Sequence, residues 1–480
     1  MAERLKNYIG GEWVDSDAAD VHVVKNPATG EVIGHTPLGG MADVSAAVAA
    51  AKAAFSSWRR VPVEDRVQPM FKLKSLLEDH AEEMAQICTR ENGKTVPESR
   101  GSVRRGIQMV EMACGAPSLL MGQVLEDVSG GIDCESVRQP MGVFAAITPF
   151  NFPAMVPMWF FPFAITCGYT FVLKPSEQVP FSAKLTWELA HEAGFPPGVL
   201  NMVQGGKDSV NAICEHPDIE GISFVGSSPV AEHVYKEGSA RGKRVQALGG
   251  AKNFIFVMPD ADMDHALDAI TESAFGCAGE RCLAASIVVP VGGCHDEVRE
   301  GLKTRMAQYK IGDGSKPDVT LGPVISEPHK EKVLGFIESG EKEGAELVVD
   351  GRKAEMPSTG NFVGPTLFDK VTPEMTIGSE EIFGPVLCLM PMDDLDSALQ
   401  LTHDHPLANA SSIFTTSGKS ARKFRYDVDA SMAGVNIGVA APMSFFGFGG
   451  AKGSFFGDLK AHGRESFDFY TDRKVLISRW

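Results

Sequence analysis

An α/β fold of parallel, doubly wound sheets spread over two or three domains is what this chain predicts, on three observations. Its 480 residues exceed what one hydrophobic core usually serves. Its apolar share, 44%, is that of a soluble globular protein. Through its middle, short apolar runs of buried-strand type alternate with helical patterns, the mark of strand–helix–strand units.

Taken in order, residues 8–40 read as short strands and turns, punctuated by Gly10-Gly11 and by Asn26-Pro27-Ala28-Thr29-Gly30. Apolar residues at three-to-four spacing then predict four successive helices over 42–58, 63–80, 81–92 and 103–120. Such a layer needs a sheet to cover. Runs 142–148 and 169–174 supply buried strands, with a proline-rich segment leading into a helix between them. Helix 183–193, strand 199–203, helix 209–216 and strand 221–225 continue the alternation, which places ligands at the carboxyl ends of the strands. Strands 254–257 and 286–290, separated by a helix over 263–275, open a second series. Segments 126–138 and 466–480 look like strands without companion helices, suited to pairing with each other or across a subunit interface.

Forty-five basic residues against 62 acidic ones leave a formal charge of −17, which argues against nucleic acid or an anionic membrane as partner. An anionic ligand must then be met by local arginines or by helix N-termini. The most apolar window, 143–170, is broken by Pro149, Pro153, Pro157 and Pro162, so it is not a membrane span. The first residues mix charges with no apolar segment and predict neither a secretory signal nor a transit peptide. Nine cysteines, an odd number without metal-type spacing, fit free thiols in a reducing, cytoplasmic compartment. His403 and His405 stand next to Pro406 with no third ligand evident and read as a turn, so no metal site is predicted.

The chemistry centres on Phe275-Gly276-Cys277-Ala278-Gly279-Glu280-Arg281-Cys282. Small residues there let backbone N–H groups approach a ligand, and Arg281 is a positive neighbour of the kind that lowers a thiol pKa, so Cys282 is a candidate nucleophile. Most cysteines simply pack as small hydrophobes; its setting separates Cys282 from the other eight. Asn151, in Thr148-Pro149-Phe150-Asn151-Phe152-Pro153, follows a strand and carries the kind of N–H that stabilises an oxyanion, although an asparagine between prolines also suits a turn. Lys174-Pro175-Ser176-Glu177 puts a lysine and an acid at a strand end, either as a solvated pair or as a grip on ribose hydroxyls. Phe224-Val225-Gly226-Ser227 lacks the full G-x-G-x-x-G pattern, and Glu381-Ile382-Phe383-Gly384-Pro385 alone suits a solvated turn.

Together, in this order and spacing, these motifs resemble the aldehyde dehydrogenase superfamily over essentially the whole chain, from Asn7-Tyr8-Ile9-Gly10-Gly11-Glu12-Trp13 to the C-terminal strand. The resemblance implies an aldehyde-dehydrogenase-like α/β fold: a Rossmann-type NAD-binding domain over 1–121 and 142–253, a catalytic domain over 254–462, and oligomerisation strands over 122–141 and 463–480. It implies a homo-oligomer, a dimer of dimers. Carried over position by position, Cys282 resembles the nucleophile and Asn151 the oxyanion donor, aided by the N–H of Cys282. Lys174 and Glu177 resemble the adenosine-ribose ligands and Ser227 a pyrophosphate ligand. Glu381 and Phe383 resemble the nicotinamide-ribose site, and Thr148 and Phe150 complete the cofactor-binding set. Glu177 favours NAD, because its carboxylate repels a 2′-phosphate.

The departure from the family pattern carries further information. Hydrolytic members have a glutamate in a Glu-Leu-Gly-Gly-Lys segment that activates water; here the stretch is Gln246-Ala247-Leu248-Gly249-Gly250-Ala251-Lys252-Asn253, with Ala247 or Leu248 in that place. A thioester on Cys282 then awaits a better nucleophile than water, such as the thiol of coenzyme A. With Val257-Met258-Pro259-Asp260-Ala261 and Gly453-Ser454-Phe455-Phe456-Gly457-Asp458, the stretch resembles the CoA-acylating methylmalonate-semialdehyde dehydrogenase branch. That branch takes methylmalonate or malonate semialdehyde to propionyl-CoA or acetyl-CoA with loss of carbon dioxide. Its substrates carry a carboxylate, for which Arg105 and Arg281 are the expected clamp; guanidinium forks suit carboxylates, and Arg104 is the neighbour with which Arg105 is confused. Two other readings stay open: a hydrolytic NAD-dependent dehydrogenase of another carboxylate-bearing aldehyde, and a non-catalytic relative recruited for packing.

Overall fold

Five runs, among them Val143–Ile147 and Thr170–Lys174, are buried at every residue or nearly so, and strands hidden on both faces are satisfied only between two layers of helix. In the computed structural model, which describes residues 2–480, they form the parallel centre of an eight-stranded sheet. Its order is Phe455–Phe456, Arg244–Leu248, Ile219–Val225, Val143–Ile147, Thr170–Lys174, Leu200–Met202, Asn7–Ile9 and Glu12–Val14, and the outermost strands are antiparallel. The chain leaves Val143–Ile147 in one direction through two strands, then returns to its other side through two more. The order therefore reverses between Val143–Ile147 and Ile219–Val225, and the crevice beyond their carboxyl ends is where such sheets bind ligands.

The four predicted helices are Met41–Trp58, Val63–Asp79, Ala81–Asn92 and Val96–Cys114. The last begins seven residues earlier than its apolar spacing suggests, because Thr95 and Glu98 form a reciprocal capping box: the Thr95 N–H donates to Glu98 Oε2 at 2.8 Å. A second, seven-stranded sheet holds Thr366–Asp369, Val386–Leu389, Ala285–Pro290, Asn253–Val257, Ala410–Phe414 and Met432–Val435 in parallel, with Glu346–Val349 antiparallel at one edge. The helix over 263–275 forms where predicted, as Met263–Phe275.

Two features depart from the sequence reading. Segment 466–480 is not one strand: Gly463–Phe469 is helical and only Asp472–Arg479 is extended. Burial decides this, because Phe467 packs edge-on to Phe163 at 5.5 Å, and Tyr470 reaches under the first sheet to share a 2.7 Å hydrogen bond with Ser223. Second, Arg244–Leu248 is a central strand that its polar residues disguise; buried Gln246 donates to Ser223 Oγ at 2.9 Å. Asp472–Arg479 pairs with Ile132–Gln139, which pairs with Gln123–Ser129, giving the antiparallel ribbon expected from isolated strands. Among the described residues no helix is long and apolar enough to cross a membrane.

Candidate active site

Helix Met263–Phe275 stops at Gly276, and the chain turns through Cys277, Ala278 and Gly279 at φ of 51°, 53° and 75°. Three successive left-handed residues, two of them not glycine, mark stored strain. A Cβ on Gly279 would collide with the Gly384 carbonyl, so glycine is required there. Cys277 N–H donates to Glu98 Oε1 at 2.5 Å, tying the turn to helix Val96–Cys114. After the turn, the Cys282 carbonyl accepts from two side-chain amides, Asn253 Nδ2 at 3.0 Å and Asn409 Nδ2 at 2.8 Å. The backbone is thus clamped at the residue whose sulfur must be aimed.

Asn151 follows the central strand at the switch point and is buried. Its Nδ2 donates to the Glu280 carbonyl at 3.0 Å, two residues before the thiol, and Lys94 donates to its main-chain oxygen. An amide nitrogen carries two hydrogens, so one remains beyond this bond. Cys282, Arg105 and Arg281 all line one cavity of about 500 Å³, whose apolar wall includes Phe152, Trp159 and Phe448. The structure separates the adjacent arginines. Arg104 is exposed and ion-pairs with Glu78 on the neighbouring helix, whereas Arg105 lines the cavity and, among the described residues, bonds only Met443 Sδ at 3.1 Å and the Ala441 carbonyl at 3.4 Å. Arg281 is more committed: Nε donates to Cys277 Sγ at 3.3 Å, and its fork faces Glu98 at 3.6 Å.

The expected low thiol pKa is corrected here. Burial, and next the Glu381 carboxylate, push Cys282 up to about 12; Arg281 opposes them weakly because it is turned toward Glu98. At neutral pH the residue therefore rests as a thiol. Alkylation of the ligand-free protein by iodoacetamide, followed at the Cys282 peptide by mass spectrometry, should therefore rise about tenfold per pH unit between pH 7 and 10. A plateau beginning near neutral pH would contradict this.

At the carboxyl end of the strand beside Asn151, buried Lys174 donates to the Gly205 carbonyl at 2.7 Å and meets Glu177 Oε2 at 3.2 Å. Burial raises the Glu177 carboxyl, but the Lys174 ammonium outweighs it and the pKa falls below the usual range, so Glu177 is anionic. The Thr148 N–H donates to the Lys174 carbonyl at 3.1 Å, aligning the two strand ends. Ser227 is the N-cap of helix Ser228–Ser239, and its hydroxyl makes no capping bond. Helix N-termini attract phosphate, so this end fits a pyrophosphate. Glu381 accepts the Ala251 N–H at 2.8 Å, across Gly250, where a Cβ would strike its carboxylate. Phe383 is held at φ 59° by His329, which bonds its carbonyl at 2.7 Å, and its ring stands edge-on to Phe150 at 5.9 Å. Glu177 follows strand Thr170–Lys174 and Ser227 follows strand Ile219–Val225, so a carboxylate and a helix N-terminus stand at the carboxyl ends of two parallel strands of the first sheet, a placement that fits a dinucleotide.

This arrangement has counterparts. The model of the aldehyde dehydrogenase family matches residues 13–476. The chain belongs to that family. The dehydrogenase is 53% identical to a malonate-semialdehyde dehydrogenase of Halalkalibacterium halodurans over 478 residues, covering 100% of this chain and 99% of that one. A methylmalonate-semialdehyde dehydrogenase structure from Oceanimonas doudoroffii superposes with a TM-score of 0.98 at 46% identity, covering 100% and 99% of the two chains. A Sinorhizobium meliloti relative solved in complex with NAD reaches 0.98 at 42% identity, covering 100% and 98%. Sequence reasoning about the dehydrogenase missed Lys94, Glu98 and Asn409, which hold Asn151, the Cys277 turn and the Cys282 carbonyl. No local pattern announces them. Asn253 alone had a signal, since it closes the stretch where the expected glutamate is missing.

Proposed function

We propose that this dehydrogenase oxidises malonate semialdehyde or methylmalonate semialdehyde and transfers the decarboxylated acyl group to coenzyme A. The observation that carries the reading is the cavity that joins Cys282 to Arg105, a guanidinium with no carboxylate partner among the described residues, in a site whose position for a water-activating acid is apolar. Ala247 and Leu248 are both buried hydrophobes on strand Arg244–Leu248. Of the two acids lining the cavity, Glu98 is bonded to Thr95 and Cys277, and Glu272 stands exposed at the rim.

In this reading Arg105, with Arg281, receives the substrate carboxylate; Cys282 gives its thiol proton to solvent and attacks the aldehyde carbon as thiolate, the carbonyl π pair moving to oxygen. The resulting oxyanion is held by the Asn151 amide and the Cys282 N–H, a contact worth about 2.7–4 kcal/mol per donor. Lys174, Glu177, Ser227, Glu381 and Phe383, with Thr148 and Phe150, hold NAD, which when bound supplies the acceptor for the hydride of the aldehyde carbon. The acyl group left on Cys282 is a β-carboxy thioester. Its carboxylate departs as carbon dioxide, the electron pair moving into the thioester enolate, which then takes up a proton. The CoA thiolate attacks the thioester carbonyl, and Cys282 leaves as thiolate. Residues 1–121 with 142–253 serve as the NAD-binding domain, 254–462 as the catalytic domain, and 122–141 with 463–480 as the oligomerisation element. The exposed apolar side chains Val124, Leu125, Val475 and Ile477 on the antiparallel ribbon support a homo-oligomer, and we assign a dimer of dimers. Nine free thiols support a cytoplasmic setting.

The test is a steady-state assay of both semialdehydes with NAD, with CoA varied and carbon dioxide trapped. Acyl-CoA, NADH and carbon dioxide should form one to one to one, with turnover collapsing when CoA is omitted. Stoichiometric free acid without CoA would instead favour a hydrolytic dehydrogenase.

A further inference from the structure

His462 occupies a backbone conformation, φ 71° and ψ 172°, that is almost confined to glycine. The residue is 1% exposed, and its imidazole lines the same cavity as Cys282 and Arg105. It stands edge-on to Trp159 at 4.5 Å and against Phe448 at 5.2 Å. Among the described residues neither ring nitrogen has a hydrogen-bond partner, and the same holds for the Trp159 indole N–H. Burying such groups unpaired is costly. His462 also sits at the N-cap of helix Gly463–Phe469, yet its side chain does not cap that helix. The mutual backbone bonds of Phe448 and Ala461 fix the segment just before it. Strain and desolvation are thus both spent on holding a ring with unpaired hydrogen-bonding nitrogens in the wall of the substrate cavity, beside a tryptophan donor in the same condition.

We infer that His462 and Trp159 are specificity-determining donors for the carboxylate of the aldehyde substrate, acting with Arg105. This rests on the proposed function and deepens it. Arg105 supplies the charge, while the imidazole and indole N–H groups bond the carboxylate oxygens that the guanidinium leaves unmet. A neutral imidazole is the suitable form. Burial, then the positive Arg105, hold His462 down to about 3, so it donates one proton from one nitrogen without adding a second buried charge.

The experiment compares kcat/KM for malonate semialdehyde with kcat/KM for propionaldehyde in the wild type, His462→Gly, His462→Phe and Arg105→Leu. Glycine suits the backbone angles, and phenylalanine keeps the ring while removing both nitrogens. A hydrogen bond to a charged group predicts that the ratio of the two values falls about tenfold or more in both His462 variants, through KM for the carboxylated substrate. Added imidazole should recover part of the ratio in His462→Gly and none in His462→Phe. An unchanged ratio in either folded His462 variant, or equal losses on both aldehydes, overturns the inference. A wild type without preference for malonate semialdehyde overturns the proposed function itself, and a ratio that falls in Arg105→Leu but not in the His462 variants overturns this inference alone.

Discussion

Replacing Cys282 with alanine should reduce aldehyde-dependent NADH formation by roughly ten-thousand-fold or more, because the proposed function makes its sulfur the group that bonds covalently to substrate, and without it only binding and oxyanion stabilisation remain. Serine should not rescue it. A hydroxyl is a weaker nucleophile than a thiol, and the burial that pushes this thiol to about 12 would act on the hydroxyl as well. The measurement is single-turnover NADH absorbance together with intact-protein mass spectrometry, with NAD binding as the control for folding. Wild type incubated with malonate semialdehyde and NAD in the absence of CoA should gain the mass of an acetyl group. Retention of more than about one per cent of activity in Cys282→Ala would transfer the covalent step to another residue.

Why that adduct should persist follows from where the acids are. Water needs a base to attack a thioester at neutral pH, whereas a thiol brings its own ionisable proton and a softer, stronger nucleophile. Glu381 is the acid whose charge acts on Cys282, and burial raises its own pKa while the Ala251 N–H fixes it in place. Glu280, next in the chain but one, is buried and pushed up to about 8; its carboxyl accepts from the Ile325 N–H at 3.0 Å. Backbone N–H bonds hold both acids in place.

Sequence made the local frame legible and left the cross-chain contacts dark. Val143–Ile147 and Met263–Phe275 are readable because continuous burial or three-to-four spacing writes itself into neighbouring residues. Gly463–Phe469 is not, because its helix is stabilised by Phe467 and Tyr470 entering a core built by residues hundreds of positions away. The same holds in the site. Cys282 and Asn151 lie in motifs, but Asn409 and Lys94 act on them across 127 and 57 positions. Arg281 illustrates the converse error: adjacency in sequence suggested a field on the thiol, while the side chain turns to Glu98.

Under the proposed function, Asn151→Ala should lower kcat about a hundredfold to a thousandfold with little change in KM, the cost of one oxyanion donor. The side chain has a second task, because its Nδ2 holds the Glu280 carbonyl at 3.0 Å, and losing that bond leaves a buried acceptor unpaired at a cost of about 1–3 kcal/mol of stability. The two effects separate experimentally: the stability loss shows in the midpoint of denaturant unfolding, the catalytic loss in the rate of the NADH burst. Asn151→Asp should be slower still, since a carboxylate donates no hydrogen and would face the developing oxyanion with like charge. If Asn151→Ala unfolded at lower denaturant yet kept a wild-type burst, Asn151 would be a brace for the cysteine loop, and the Cys282 N–H would carry the oxyanion without it.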